Sequence, residues 1–157
     1  MKKKINFKKL VGAIALPIAV GAVSAWISRA GMQAFDMVKQ PPLSPPKAVF
    51  PVVWTILYIL MGIASYIVAE KGGKDEDNAL TFYALQLGAN FLWSIIFFKF
   101  GAYLFAFVWL LLLWALVYVT LEKFKKISAT AGNLLVPYIL WLTFAAYLNL
   151  GVYLLNR

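Results

Sequence analysis

Long apolar runs decide what this chain can fold into. Residues 10–28, 51–69 and 134–155 contain no charged side chain. Residues 79–121 contain one, Lys99. About 20 apolar residues span the hydrocarbon core of a bilayer. The 79–121 run is too long for one crossing and suits two, broken near Lys99, Phe100 and Gly101. Spans are therefore expected at about 10–28, 51–69, 79–98, 102–121 and 134–155. In lipid every backbone polar group must be paired internally, so the economical element is the helix. A β-barrel would alternate with period two, and these runs are continuously apolar. The chain is 63% hydrophobic and 13% charged, against about 25% charged in soluble domains. The expectation is an all-α integral membrane protein, a single five-transmembrane-helix bundle over residues 1–157 with no internal repeat.

The net charge of +9 invites a nucleic-acid reading, but the basic residues sit in short loops between spans. There they set orientation. The N-terminus (Lys2, Lys3, Lys4, Lys8, Lys9), residues 70–78 (Lys71, Lys74) and residues 122–132 (Lys123, Lys125, Lys126) fall on one side. The opposite side holds Arg29, Lys39, Lys47, Lys99 and Arg157. The bias predicts a multi-pass protein of the cell membrane with N-terminus cytoplasmic, C-terminus extracytoplasmic and no nucleic-acid partner. The first run is longer than a secretory h-region, and "SAWISR" is a poor cleavage site, so a retained helix is expected.

The connector over residues 29–50 is unusual. "KQPPLSPPKAVFPVVW" packs Pro41, Pro42, Pro45, Pro46 and Pro51 into eleven positions. It also carries Leu43, Val49 and Phe50 and leads into Trp54. Proline fixes φ and restricts the residue before it, so the segment loses little entropy on ordering. It reads as a rigid spacer or as a pre-organised lid whose apolar residues face a cavity; the apolar content favours the lid. On the first run, Ala13, Pro17, Gly21 and Ala25 recur every four residues, a small-residue face suited to close helix approach in lipid.

The chain has no histidine and no cysteine. Its six acids, Asp36, Glu70, Asp75, Glu76, Asp77 and Glu122, fall in loops or at span ends. A Ser–His–Asp triad, a zinc site and histidine-ligated haem are excluded by composition. Ion-coupled transport usually needs an intramembrane ionisable group. No metal and no resident cofactor is expected. What remains is uncharged polarity. Gln86, Asn90 and Ser94 are spaced by four and share a face. Trp54, Tyr58 and Ser65 lie near one stripe of the second span; Tyr138, Trp141, Ala145 and Asn149 do so on the fifth. Buried amides need partners, so Gln86 and Ser94 read as interhelical glue, and Asn90 and the tryptophans as either packing or pocket. Trp26, Trp93, Trp109 and Trp114 read as belt or packing residues.

"PPLSPP…FPVVWTILYILMGIASY", "LQLGANFLWSIIFF" and "LVPYILWLTFAAYLNL" resemble the tryptophan-rich sensory protein and translocator protein (TspO/MBR) family, which includes the mitochondrial peripheral benzodiazepine receptor. The resemblance covers essentially the whole chain and suits a bacterial member. Two positions depart from the pattern: Ala48, often Trp, and Ala146, often Thr. The resemblance implies a five-helix bundle, commonly a homodimer, with a pocket beneath the first connector. It implies ligands such as protoporphyrin IX and other porphyrins, sterol in mitochondrial members, and synthetic isoquinoline carboxamides. By motif match Trp54, Asn90, Trp141 and Ala145 are ligand-binding positions, with Phe50, Tyr58, Phe91 and Phe144 as further assignments. The sterol pattern reads here as Leu150, Tyr153 and Arg157, a weak signal.

Three functional readings follow. The first is a membrane receptor for porphyrins and related hydrophobic ligands that regulates tetrapyrrole levels under stress. Trp54 and Trp141 would stack on the macrocycle, Asn90 would orient a polar group, and Arg29, Lys39 or Lys47 would pair with propionates. The second is an enzyme degrading porphyrin with light and oxygen, with Trp54 and Trp141 as the redox-active residues. The third is a porphyrin or lipid transporter. Trp54 and Trp141 follow Pro51 and Pro137 on spans that run antiparallel. They can share a site only if the fifth helix gains length on its cytoplasmic side, which residues 133–136 are expected to supply.

Overall fold

The computed structural model describes residues 4–157; Lys2 and Lys3 of the basic N-terminal cluster lie outside the described residues. The described residues form helices and no strand. The long elements are α1 (Phe7–Ile27), α3 (Val49–Lys71), α4 (Glu76–Ser94) with a π-helical extension (Ile95–Lys99), α5 (Tyr103–Ile127) and α7 (Val136–Asn156). A short α2 (Arg29–Ala34) follows α1, and a short α6 (Ala129–Asn133) precedes α7. Five helical stretches are long and apolar enough to cross a membrane, the fifth running over Ala129–Asn156. The chain is a multi-pass membrane protein built as a five-helix bundle.

The helices outrun the apolar segments through polar terminal turns. Glu70 and Lys71 extend α3, and Lys125 and Lys126 extend α5. Glu76 and Asp77 open α4, where acidic side chains suit the positive end of the helix dipole. Asn6 caps α1 by accepting from the Lys9 N–H at 3.2 Å, satisfying one of the orphan donors of the first turn. The break between α4 and α5 falls at Phe100–Ala102. The π turn closes by Phe100 N–H donating to Ile95 O at 3.1 Å, and Gly101 takes φ +59°, a conformation that favours glycine.

The small-residue face of α1 packs on α3. Gly62 of α3 lies against the Ala13–Ile14 backbone, and Gly21 of α1 against the Tyr58 ring, so a Cβ at either glycine would collide. Pro17 is buried in the same seam. α5 is the central helix, packed against α4, α6 and α7. Its Ala106, Leu110, Leu113 and Val117 are fully buried. By contrast α3 and α7 make little direct contact. The space between them is the site described next.

The connector is not one continuous loop. Its first third folds as α2 and a 3-10 turn (Phe35–Met37). Phe35 packs on Phe97 and Phe98 with ring centroids 5.4 Å away in each case. The proline segment then lies on the end of α7. The Asn156 amide accepts from Lys39 N–H at 3.0 Å and donates to Lys39 O at 2.7 Å. The Tyr147 hydroxyl donates to Pro42 O at 2.6 Å, and the Pro41 ring sits on Gly151. Leu43 tips this segment at φ +70°. It is 82% exposed and does not line the cavity, nor does Val49. The expectation that the segment's own aliphatics face inward therefore fails for these two. The inward apolar surface comes from Met32, Phe35 and Phe50 instead.

Candidate functional site

A cavity of about 570 Å³ lies between α1, α3, α4 and α7, with the connector across its mouth. That size is typical of small-molecule sites. Trp54 reaches it from one turn inside α3. Its ring centroid is 5.6 Å from Tyr58, 6.4 Å from Trp93 and 6.2 Å from Tyr138. Trp141 enters from α7, with its ring 5.9 Å from Phe50. The two indoles line one cavity, and a helical stretch already runs from Ala129 ahead of Val136. The added length is α6, Ala129–Asn133, rather than residues 133–136 alone. Ala145, one turn beyond Trp141, leaves the wall open between the aromatic rings.

Beneath the indoles lies a polar floor. Asn90 lines the cavity and is 3% exposed. Its Oδ1 accepts from the Tyr58 hydroxyl at 3.4 Å, and its Nδ2 donates to the Tyr138 oxygen at 2.7 Å. Tyr138 in turn donates to Gln86 Oε1 at 2.7 Å. Gln86 thus sits behind the cavity as interhelical glue between α4 and α7. Trp93 Nε1 donates to Asn149 Oδ1 at 3.1 Å, and Asn149 Nδ2 donates to Tyr103 O at 2.9 Å. One donor is left over. Trp141 Nε1 is buried with no hydrogen-bond partner. An unmet buried donor costs about 1–3 kcal/mol, and this one is enclosed by protein while the rest of the Trp141 side chain borders the cavity.

At the mouth, Lys47 and Asp36 form an ion pair, and both line the cavity. Of the three cations considered for an acidic ligand, Lys47 alone reaches the lining. Arg29 stacks on Trp26 at 4.6 Å and donates to Trp26 O at 2.7 Å. Lys39 is held by backbone on Asn156.

Six of the eight expected ligand-binding residues line this cavity: Phe50, Trp54, Tyr58, Asn90, Trp141 and Ala145. Phe91 and Phe144 do not. Phe91 follows Asn90 by one residue, a turn of about 100° around the helix. It faces a separate groove between α1, α3 and α4. Phe144 lies tilted against Trp141 and stacks on Tyr147, with centroids 5.7 and 6.1 Å away. The lining includes a residue read from sequence as packing, Trp93, together with Phe97, Gly21 and Asp36. Trp93 lies three residues past Asn90 and so shares its face, which was the available signal. The approach of Gly21 and Asp36 depends on how α1 and the connector dock.

The fold and the site together define a class: a five-helix membrane protein enclosing one aromatic, connector-capped cavity of ligand size. Residues 13–155 match the model of the TspO/MBR family. The chain is 36% identical over 153 residues to a tryptophan-rich protein TspO of Archaeoglobus fulgidus, covering 97% of this chain and 99% of that protein. It is 38% identical over 122 residues to a tryptophan-rich sensory protein of Cereibacter sphaeroides, covering 78% and 76%. It is 36% identical over 127 residues to a translocator protein of Ovis aries, covering 79% and 75%. The chain belongs to the TspO/MBR family.

Proposed function

We propose that this protein is a membrane receptor that captures porphyrins, protoporphyrin IX among them, and reports or regulates tetrapyrrole levels. The observation that carries the reading is the cavity: three indoles around a largely apolar space and a lysine at the mouth. Stacking of Trp54 and Trp141 on a planar macrocycle contributes about 0.5–1.5 kcal/mol each beyond area burial. Lys47 exchanges Asp36 for a ligand carboxylate. The proposed orientation puts the N-terminus in the cytoplasm and the connector outside, so ligand arrives from the extracytoplasmic side. The proposed assembly is a homodimer.

A second reading, light- and oxygen-dependent degradation of the bound porphyrin, draws on the same indoles. Trp54 and Trp93 lie within 6.4 Å of each other, close enough to pass an oxidising equivalent away from an excited ligand. A third, passage of porphyrin or lipid through the protein, draws on relatives named translocator protein. Protein in lipid nanodiscs titrated with protoporphyrin IX separates the first two. The receptor reading expects a shifted Soret band that is stable in light. Loss of the band with a discrete product, beyond a protein-free control, supports catalysis. No shift refutes the receptor.

A further inference from the structure

The hydrogen bonds under the cavity all run one way. Tyr58 donates to Asn90 Oδ1, Asn90 Nδ2 donates to Tyr138, Tyr138 donates to Gln86 Oε1, and Gln86 Nε2 donates to Met61 Sδ at 4.0 Å. A phenol has one proton. Tyr138 gives its proton to Gln86, so toward Asn90 it can only accept. Asn90 must then turn its NH₂ to Tyr138 and its oxygen to the cavity side.

The reverse polarity is also self-consistent through the middle of the chain: Gln86 would donate to Tyr138, and Tyr138 to Asn90. The two polarities differ at the far end. As observed, the second face of Gln86 places an N–H against a thioether, a weak acceptor. Reversed, a carbonyl oxygen would face the same sulfur with no donor between them. Gln86, Tyr138 and Met61 are each no more than 1% exposed, so water cannot supply the missing proton. Such networks are costly when half satisfied. The near end is looser. Tyr58 holds Asn90 Oδ1 at only 3.4 Å, and a carbonyl oxygen has a second lone pair.

We propose that Gln86 is a positioning residue: through Tyr138 it holds the Asn90 amide with its oxygen toward the cavity, so that the site selects ligands presenting an N–H or O–H at that point. Neither Gln86 nor Tyr138 lines the cavity; both act through Asn90. The cavity therefore offers a fixed acceptor at Asn90 on a largely aromatic surface. This goes beyond the porphyrin reading, since it fixes which polar edge is recognised on any aromatic ligand.

A matched pair of probes tests it: N-methyl-2-naphthamide, which has an amide N–H, and N,N-dimethyl-2-naphthamide, which has none. Both keep the same ring system and carbonyl. Dissociation constants are read from tryptophan quenching of the full chain in nanodiscs. The wild type should bind the secondary amide about fivefold more tightly, the effect of one hydrogen bond. In Gln86→Leu, Tyr138 loses its acceptor and turns its proton to Asn90 Oδ1, which reverses the Asn90 amide. The preference should then fall to unity or invert, with tertiary-amide affinity within about twofold of wild type or higher. Met61→Leu keeps the bulk, removes only the sulfur and should reduce the preference part-way; it decides the matter if Gln86→Leu does not fold. The proposal is overturned by a wild type that shows no preference or binds neither amide. Equal loss of both amides in Gln86→Leu, or an unchanged ratio in Met61→Leu, overturns it as well. A parallel Soret titration reports on porphyrin independently, so a failure there with the amide ratio intact refutes the porphyrin reading alone.

Discussion

Detaching the connector from α7 should loosen the cavity's cover without touching its walls. Two side chains hold the proline segment. Asn156 makes two hydrogen bonds to the Lys39 backbone, at 3.0 and 2.7 Å, and Tyr147 makes one to Pro42 O at 2.6 Å. Neither residue lines the cavity. These bonds are exposed, so each contributes at the low end of the usual range of about 0.5–1.5 kcal/mol. Asn156→Ala should therefore cost about 1 kcal/mol of connector docking. Tyr147→Phe, which removes one oxygen and keeps the ring on Phe144, should cost about 0.5 kcal/mol. The double variant should raise the local opening equilibrium about tenfold. Hydrogen exchange read by mass spectrometry in nanodiscs gives this directly. Lys39 N–H is itself the donor to Asn156, and Val38 N–H donates within the same segment. Peptides covering residues 36–44 should exchange about tenfold faster in the double variant, while peptides from α5 stay unchanged. Ligand dissociation should accelerate in proportion. Unchanged exchange over residues 36–44 would refute the clamp. Faster exchange with unchanged dissociation would refute the connector's role as a lid.

Replacing Pro41, Pro42, Pro45 and Pro46 together with glycine should weaken porphyrin binding about tenfold or more, since roughly 1.4 kcal/mol of ordering cost is readily restored over four sites; an unchanged dissociation constant in a folded variant would mark the segment as a spacer. Trp54→Phe and Trp141→Phe should each keep the fold and weaken porphyrin binding, and the double variant should lose less than the sum of the two, because residues on one ligand couple. Additive losses measured by Soret titration would place them on separate sites. A reporter fused after Arg157 should be active only outside the cytoplasm, and cytoplasmic activity would reverse the proposed orientation.

The spans were legible because lipid imposes a length and a composition that no other solvent does. The break at Gly101 and the α1 face of Ala13, Pro17 and Gly21 were legible for the same reason. The helix ends were less so: Lys125 and Lys126 are helical but polar, and hydropathy stops before them. The cavity face of α4 was readable at Asn90, since an amide among apolar residues demands a partner. Trp93 packs on Phe97 and also lines the cavity; an indole in a membrane has several common uses, and spacing alone does not choose among them. The connector's stiffness followed from its prolines, but its direction did not. Leu43 points outward and Phe35 inward because of contacts made across the chain, with Asn156 and with Phe97 and Phe98, which lie more than fifty residues away. Phe91 and Phe144 were placed at the ligand by motif neighbourhood; each sits beside a lining residue but turns to another face.

The central claim is that the cavity between α3 and α7 is where a porphyrin binds. A structure of the protein with protoporphyrin IX tests it most directly. The account predicts the macrocycle beneath the connector, between the Trp54 and Trp141 rings, with Asp36 displaced from Lys47 by a propionate. A porphyrin seated instead in the groove between α1, α3 and α4, beside Phe91, with the capped cavity unchanged, would contradict it.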